Sequence, residues 1–280
     1  GQPVGIYSIN RVEWMLVDLA CAARGLPGVA LYDTLGKDAV EYILNHAELG
    51  VAVVAGRQLD TFLQAAAQCQ QLHAVVSMDE PTAAQRDAAS RAGVRLLTLA
   101  EVEAHGHAHA LATTPPPPDA LYTIMCTSGT TGNPKGVLLT HANLVAELTG
   151  IRHHMRGTGG LDHTDVHLSY LPLAHSFERS VLYTALSYGA AVGFFRGEIA
   201  RLFDDIAELR PTFLVGAPRV WTRLHDRIQV VMRQNGWLKQ KLWQVGFDWK
   251  KAYLARGVQT PLIDRVVFRS ARERLSGRVR

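Results

Sequence analysis

Short runs that are apolar throughout alternate with amphipathic stretches over the first hundred residues, and this alternation restricts the chain more than any other feature. VGIYSIN, PGVAL, VAVVA, HAVVS and VRLLT read as strands. Between them lie segments with apolar residues at three–four spacing, such as Val40, Ile43, Leu44 and Ala47, or Trp14, Val17 and Cys21. Strands apolar on both sides need cover on both faces, and helices between successive strands supply it in a parallel sheet. The expected boundaries are local. Asn10 caps the first helix and Gly25 stops it, Gly50 stops the second, and Pro81 opens an Ala-rich helix. The expected fold class is α/β, with mainly parallel sheets flanked by helices.

The stretch EAHGHAHALATTPPPPDA interrupts the pattern. Four consecutive prolines favour an extended linker. The expected organisation is a first α/β subdomain over 1–112, a Pro-rich linker over 113–119 and a second α/β subdomain over 120–280. His105, His107 and His109 line up only on a strand, with nothing but Ala and Gly between them to orient the rings, so a solvated loop is expected rather than a metal site. After residue 120 the alternation resumes. DVHLSYL, AAVGFF and TFLVG read as strands; HANLVAELTGI, EIARLFDDIAELR and a long segment from Pro218 read as helices. WLKQKLWQVGFDWKKAYLARG carries Trp237, Trp243, Trp249 and Tyr253 among lysines. Its aromatics are expected to pack inward; the alternative is a helix on a membrane surface. PLIDRVVFRSARERL is a last helix stopped by Gly277.

Composition narrows the classes. The chain has 280 residues, 48% hydrophobic and 19% charged, enough for a large core in one or two domains. A net charge of +4, with basic residues scattered apart from the tail RSARERLSGRVR, does not indicate nucleic acid. Anionic small molecules or a membrane surface fit it as well. Cys21, Cys69 and Cys126 sit apart in apolar surroundings and read as reduced core residues. No apolar run is long enough to span a bilayer and no signal peptide is visible.

MCTSGTTGNPKGVLLTH, residues 125–141, lies between two strand-like segments, LYTIMCT and GVLLT. Gly129, Gly132 and Gly136 allow sharp turns and close approach of a ligand to the backbone. Thr127, Ser128, Thr130 and Thr131 supply hydroxyls, Lys135 a mobile positive charge, and Pro134 a fixed φ. A donor-rich turn bracketed by strands is the inventory of a polyphosphate cradle. The P-loop pattern G-x-x-x-x-G-K-[ST] does not fit. Counting from Gly129, Pro134 stands at the second Gly, and Gly136 replaces the hydroxyl that would bind Mg²⁺.

TSGTTGNPKG followed by LTHANL resembles the AMP-binding motif of the adenylate-forming enzymes. ALYDTLGKDAVEYILNHAE, LSYLPLAHSFER and PTFLVGAPRVWTRL are similar to the long-chain acyl-CoA synthetase branch. The likeness runs over essentially the whole chain, in order. It implies a reaction in which a fatty acid carboxylate attacks the α-phosphorus of ATP, giving acyl-AMP and pyrophosphate, after which the thiol of CoA displaces AMP. By this resemblance Thr127, Ser128, Gly129, Thr130, Thr131, Gly132, Lys135 and Gly136 form the phosphate loop. Lys135 steers the leaving pyrophosphate, and Thr127 is the candidate contact for Mg²⁺. His175 orients the acyl carboxylate, its alternative being a core histidine. Glu178 and Arg179 form a structural ion pair without a chemical role, and Gly216, Ala217, Pro218 and Arg219 flank an acyl tunnel. Partners implied are fatty acid, ATP and CoA, no nucleic acid, and peripheral contact with a membrane. The implied location is cytoplasmic or on a membrane surface, without distinction between endoplasmic reticulum, peroxisome and plastid.

The family's Tyr-Gly-x-Thr-Glu motif, ribose aspartate, hinge and small C-terminal domain with its adenylation lysine do not occur in the 280 residues. The chain is therefore expected to be part of the large N-terminal domain, with the C-terminal domain absent and little synthetase activity of its own. The alternative is a non-catalytic nucleotide- or lipid-binding relative. LYDTLG and LPLAHSFER argue against an aryl-CoA ligase or a peptide-synthetase adenylation domain.

Overall fold

A computed structural model describes residues 1–32, 35–127, 134–269, 272 and 277–279, with Thr158 as backbone only. Contacts divide the chain into two units: Gly1–Gly160 with Tyr170–Thr184, and Leu161–Ser169 with Ala185–Arg280.

The first unit begins with β1 (Val4–Tyr7), α1 (Val12–Ala23), β2 (Gly28–Leu31), α2 (Lys37–His46), β3 (Val51–Val54), α3 (Gly56–Ala66), β4 (Ala74–Ser77), α4 (Ala83–Arg91), β5 (Arg95–Thr98) and α5 (Leu99–Ala108). It continues with β6 (Leu121–Thr127), β7 (Lys135–Thr140) and α6 (His141–Met155). The seven strands form one sheet in the order β5-β4-β3-β1-β2-β6-β7. All neighbours are parallel except β6 and β7, which pair antiparallel at one edge.

Register explains why the strands are apolar throughout. Tyr7, Leu31, Val54 and Ser77 are aligned across four strands, as are Ile6, Ala30, Val53 and Val76. Adjacent positions point to opposite faces. One face carries Tyr7, Val29, Leu31, Ala52, Val54 and Val75, packed with Val40, Ile43 and Leu44 of α2 and Leu59, Phe62 and Leu63 of α3. The other carries Ile6, Ala30 and Val53, also buried. Burying each such side chain contributes about 1.5–3 kcal/mol, so a polar residue on either face is costly.

Several boundaries differ from expectation. Asn10 does not cap α1; the cap position is Arg11, without a side-chain capping bond, and the Asn10 amide is used elsewhere. Thr82, not Pro81, starts α4, through a capping box with Gln85. The left-handed residue after α2 is Glu48, φ 51°, ahead of Gly50. His105 and His107 lie on α5 rather than in a loop, and the rings of His105 and His109, one turn apart, stack at 4.3 Å. The segment 113–119, expected as a subdomain junction, lies inside the first unit. There Thr114 N–H donates to Ala23 O, and Ala142 N–H donates to Pro118 O.

In the second unit β8 (Val166–Ser169) pairs parallel with β9 (Ala191–Phe194). Between them in sequence runs α7 (Ser176–Ser187), most of which belongs to the first unit. Then follow α8 (Leu202–Leu209), α9 (Pro218–Arg233), α10 (Trp237–Leu254) and α11 (Pro261–Val266). The expected strand TFLVG makes one parallel bridge, Phe213 to His167, whose rings stack at 5.1 Å. The aromatics of α10 do not all pack inward. Trp243 is buried, edge-on to Phe268 at 4.8 Å, while Trp237, Trp249 and Tyr253 are exposed. The tryptophans are six residues apart. At 3.6 residues per turn they point in directions about 120° apart, so one face can bury only one of them.

Candidate active site

The Ser/Thr/Gly loop is the connection of an antiparallel hairpin. β6 and β7 pair up to Thr127↔Lys135, the last pair before the loop. The Thr127 hydroxyl donates to Lys135 O at 3.4 Å, a long bond that leaves the hydroxyl able to turn to another partner. Both residues are exposed. Gly136 pairs with Cys126, and a Cβ at Gly136 would lie 2.8 Å from Ile124 Cγ2, so only glycine lets β7 close onto β6 there. Ser128, Gly129, Thr130, Thr131 and Gly132 lie outside the described residues. β7 ends in a capping box: the Thr140 hydroxyl accepts from Asn143 N–H and Asn143 Oδ1 accepts from Thr140 N–H. The LTHAN phrase is thus a strand-to-helix switch that starts α6.

His175 stands at the cap position ahead of α7, exposed to solvent rather than in a core. Its Nδ1 accepts the Phe177 N–H at 3.2 Å. With Nδ1 as the acceptor, Nε2 is the ring nitrogen left to donate. The turn before it is held by a residue that sequence reasoning put to another use. Asn10 Nδ2 donates to Leu171 O at 2.6 Å, and Asn10 Oδ1 accepts from Leu173 N–H at 2.9 Å.

Behind this turn is a buried charge cluster. Arg179 pairs with Asp18 of α1, Nη2 to Oδ1 at 3.6 Å, rather than with its neighbour Glu178 as expected. Arg179 Nη1 donates to Thr123 Oγ1 at 2.8 Å, and Thr123 in turn donates to Gly28 O at 2.7 Å. The Tyr122 hydroxyl donates to Asp18 Oδ2 at 2.6 Å, and the Tyr183 hydroxyl donates to the same oxygen. The guanidinium lies 4.8 Å from the Trp14 ring centroid. A Cβ on Gly28 would approach Asp18 Oδ1 to 3.2 Å, so a small residue is required beside the carboxylate. Burial works against the Arg179 charge, but Asp18 and the surrounding tyrosines outweigh it and raise its pKa. Burial, then the Asp18 charge, pushes both tyrosine hydroxyls far above their ordinary range. The cluster therefore ties α7, which carries His175, to β6, which carries Thr127. The sequence signal for Arg179 was limited to its place in LPLAHSFER.

In the second unit, Pro218 occupies the first turn of α9 and the Trp221 indole donates to Gly216 O at 2.9 Å. This closes the GAPR turn without any ligand.

The sequence model of the AMP-binding enzyme family matches residues 1–262. Fatty acyl-CoA synthetase A of Dictyostelium discoideum is 43% identical over 281 residues, which cover 100% of this chain and 41% of that protein. Long chain acyl-CoA synthetase 6, peroxisomal, of Arabidopsis thaliana is 38% identical, with 100% and 40% covered. The chain thus spans about two fifths of the length of the curated relatives it matches. The A domain of carboxylic acid reductase from Segniliparus rugosus, solved with AMP and a co-purified carboxylic acid, has the same fold. It superposes at TM-score 0.73 with 22% identity, over 100% of this chain and 44% of that one. ATP-bound MatB from Rhodopseudomonas palustris superposes at 0.59 with 24% identity, over 80% and 40%.

Proposed function

Because this chain belongs to the AMP-binding enzyme family, we propose that it forms the phosphate-gripping part of a long-chain fatty acid–CoA ligase. What carries the reading is the hairpin neck, where Thr127 and Lys135 are cross-strand partners at the mouth of a Gly/Ser/Thr loop. The names of the relatives, fatty acyl-CoA and long chain acyl-CoA synthetases, support the substrate class.

In this reading the hydroxyls and N–H groups of Thr127, Ser128, Gly129, Thr130, Thr131, Gly132 and Gly136 hold the β- and γ-phosphates of ATP. A carboxylate oxygen of the fatty acid bonds to the α-phosphorus while the bond to the bridging oxygen breaks. The electron pair leaves with pyrophosphate, whose growing charge Lys135 stabilises. The sulfur of CoA then bonds to the acyl carbon as the bond from that carbon to the AMP phosphate oxygen breaks; AMP leaves with the electron pair and the thiol proton passes to solvent. His175 donates from Nε2 to the acyl carboxylate and orients it. Among the described residues no three His, Cys, Asp or Glu side chains gather at metal-binding spacing. The Thr127 hydroxyl would be the contact for Mg²⁺, which would supply charge neutralisation at the phosphates. A site on an organelle surface that handles fatty acids suits this chemistry, and two of the relatives are peroxisomal.

The test is oleate-dependent ATP–pyrophosphate exchange, measured on the 280-residue chain and on a polypeptide extended to the length of the relatives. Exchange is expected in the extended form, and Lys135→Ala should reduce it about tenfold or more, the worth of one charged phosphate contact. The 280-residue chain is expected to bind ATP without exchange. A folded extended polypeptide that exchanges without a fatty acid, or not at all, overturns the reading.

A further inference from the structure

Charge is divided unevenly along the chain. Residues 218–280 hold fifteen Lys and Arg against four Asp and Glu, while residues 1–217 hold fourteen against twenty-one. One segment is therefore +11 and the other −7, in a chain whose net charge is +4. The cations expected to be scattered are gathered on α9, α10, α11 and the residues after them.

The same helices expose an apolar stripe. Leu238, Leu242, Val245, Trp249 and Tyr253 follow one another at steps of four, three, four and four, so they share one face of α10. Each is 43–64% exposed. Its centre lies about 90° round the helix from that of the buried positions, Trp243 and Gly246. On α11, Leu262 and Val266 are 77% and 72% exposed. Leu242 and Val266 line one recess of about 270 Å³, with Lys239 at its side. At 100° per residue, Lys239 and Lys241 flank the stripe on its two sides. Neither makes an ion pair among the described residues, whereas Lys250 pairs with Asp264. No described helix is long and apolar enough to cross a membrane.

An apolar stripe with a tryptophan and a tyrosine, edged by lysines whose stems can bend outward, matches the boundary of an anionic bilayer. A second copy of this chain would bring +11 against +11. A nucleic acid would use the charge and leave Leu238, Leu242, Leu262 and Val266 in water. We propose that α10, with α11 beside it, lies flat on an anionic membrane surface. The Leu238–Tyr253 stripe sits among acyl chains and Lys239 and Lys241 sit at the headgroup phosphates.

The experiment is flotation of the 280-residue chain with phosphatidylcholine vesicles, with and without about a third phosphatidylserine, at roughly 0.1 M and 0.5 M salt. No ATP or fatty acid is added, so the outcome is independent of catalysis. Binding is expected on the anionic vesicles, with a blue-shifted tryptophan emission, and weaker at high salt. Each lysine near such a surface contributes about fivefold, so Lys239→Gln with Lys241→Gln should weaken binding about 25-fold. Leu242→Gln with Trp249→Gln should abolish the emission shift while circular dichroism is unchanged. The proposal is overturned if the folded chain ignores both vesicles, or if neither pair of substitutions alters binding. It is overturned equally by preference for a nucleic acid duplex over the vesicles, or by a dimer that the stripe substitutions split. Loss of vesicle binding on extending the polypeptide to the relatives' length would assign the stripe to that extension and also overturn it.

Discussion

Asn10 uses both ends of its amide on a single turn, so one substitution there removes two backbone partners at once. Its two bonds reach Leu171 O and Leu173 N–H, and the residue is buried. Asn10→Ala leaves a backbone donor and a backbone acceptor without their partner, at about 1–3 kcal/mol for each group that stays dry. The expected outcome is a loss of about 2–4 kcal/mol in urea unfolding, together with faster amide exchange at residues 171–175. A loss below about 0.5 kcal/mol, within the range of ordinary surface changes, would show that the turn is held by other contacts.

At the scale of elements, α7 is both a packing helix and the carrier of His175. Its first turn needs an acceptor for the Phe177 N–H, and His175 Nδ1 supplies it. His175→Ala should therefore cost about 1 kcal/mol through the lost cap, whatever the chemistry. His175→Asn restores a cap acceptor but removes the Nε2–H of the ring. The expectation is an unchanged melting temperature with reduced oleate-dependent exchange in the extended polypeptide; full exchange would assign His175 to capping alone. The alternation of strands and helices was legible in the sequence because burial on both faces writes itself as unbroken apolar runs. Strands on both sides of the Ser/Thr/Gly loop were legible too, but their antiparallel pairing and the Thr127–Lys135 register were not. Asn10 was misread because a polar residue ahead of an amphipathic stretch satisfies the local rule for a cap, while its true partners lie about 161 residues on. The Asp18–Arg179 pair is hidden for the same reason: proximity across the fold leaves no trace at short spacing. The directions of the three tryptophans of α10 were available from their six-residue spacing alone.

Across the whole molecule, ionisable groups set an asymmetric window of pH. Tyr122 and Tyr183 are pushed above their ordinary 10.0 by burial and by Asp18, and burial pushes the Cys21 thiol from 9.0 to about 12. Groups whose pKa is raised by folding favour the native state below their unfolded values and cease to do so as pH rises. Stability should be lost from about pH 9–10 upward, at about 1.4 kcal/mol per pH unit for each proton the unfolded chain releases. On the acid side, a hydrogen bond from Arg11 holds Glu13 below its ordinary 4.5. Its contribution is present above that value and fades as pH falls. This pair is partly exposed and screened, so it is worth less than about 1 kcal/mol. Urea unfolding from pH 4 to 11, followed with tyrosinate absorbance, should show a shallow acid limb, a steep alkaline limb, and some of the eight tyrosines ionising only on unfolding. Titration of all eight near pH 10 with the fold intact would contradict it. The cluster behind this behaviour also bears on how the protein emerges from a ribosome. Asp18 is made early, yet its Tyr122 partner lies 104 residues downstream and its Tyr183 partner 165. At about 5–20 residues per second, the second of these is synthesised roughly 8–30 s after the carboxylate. Throughout that interval the Asp18 carboxylate lacks the partners that surround it in the finished fold, and they are complete only once α7 has been made.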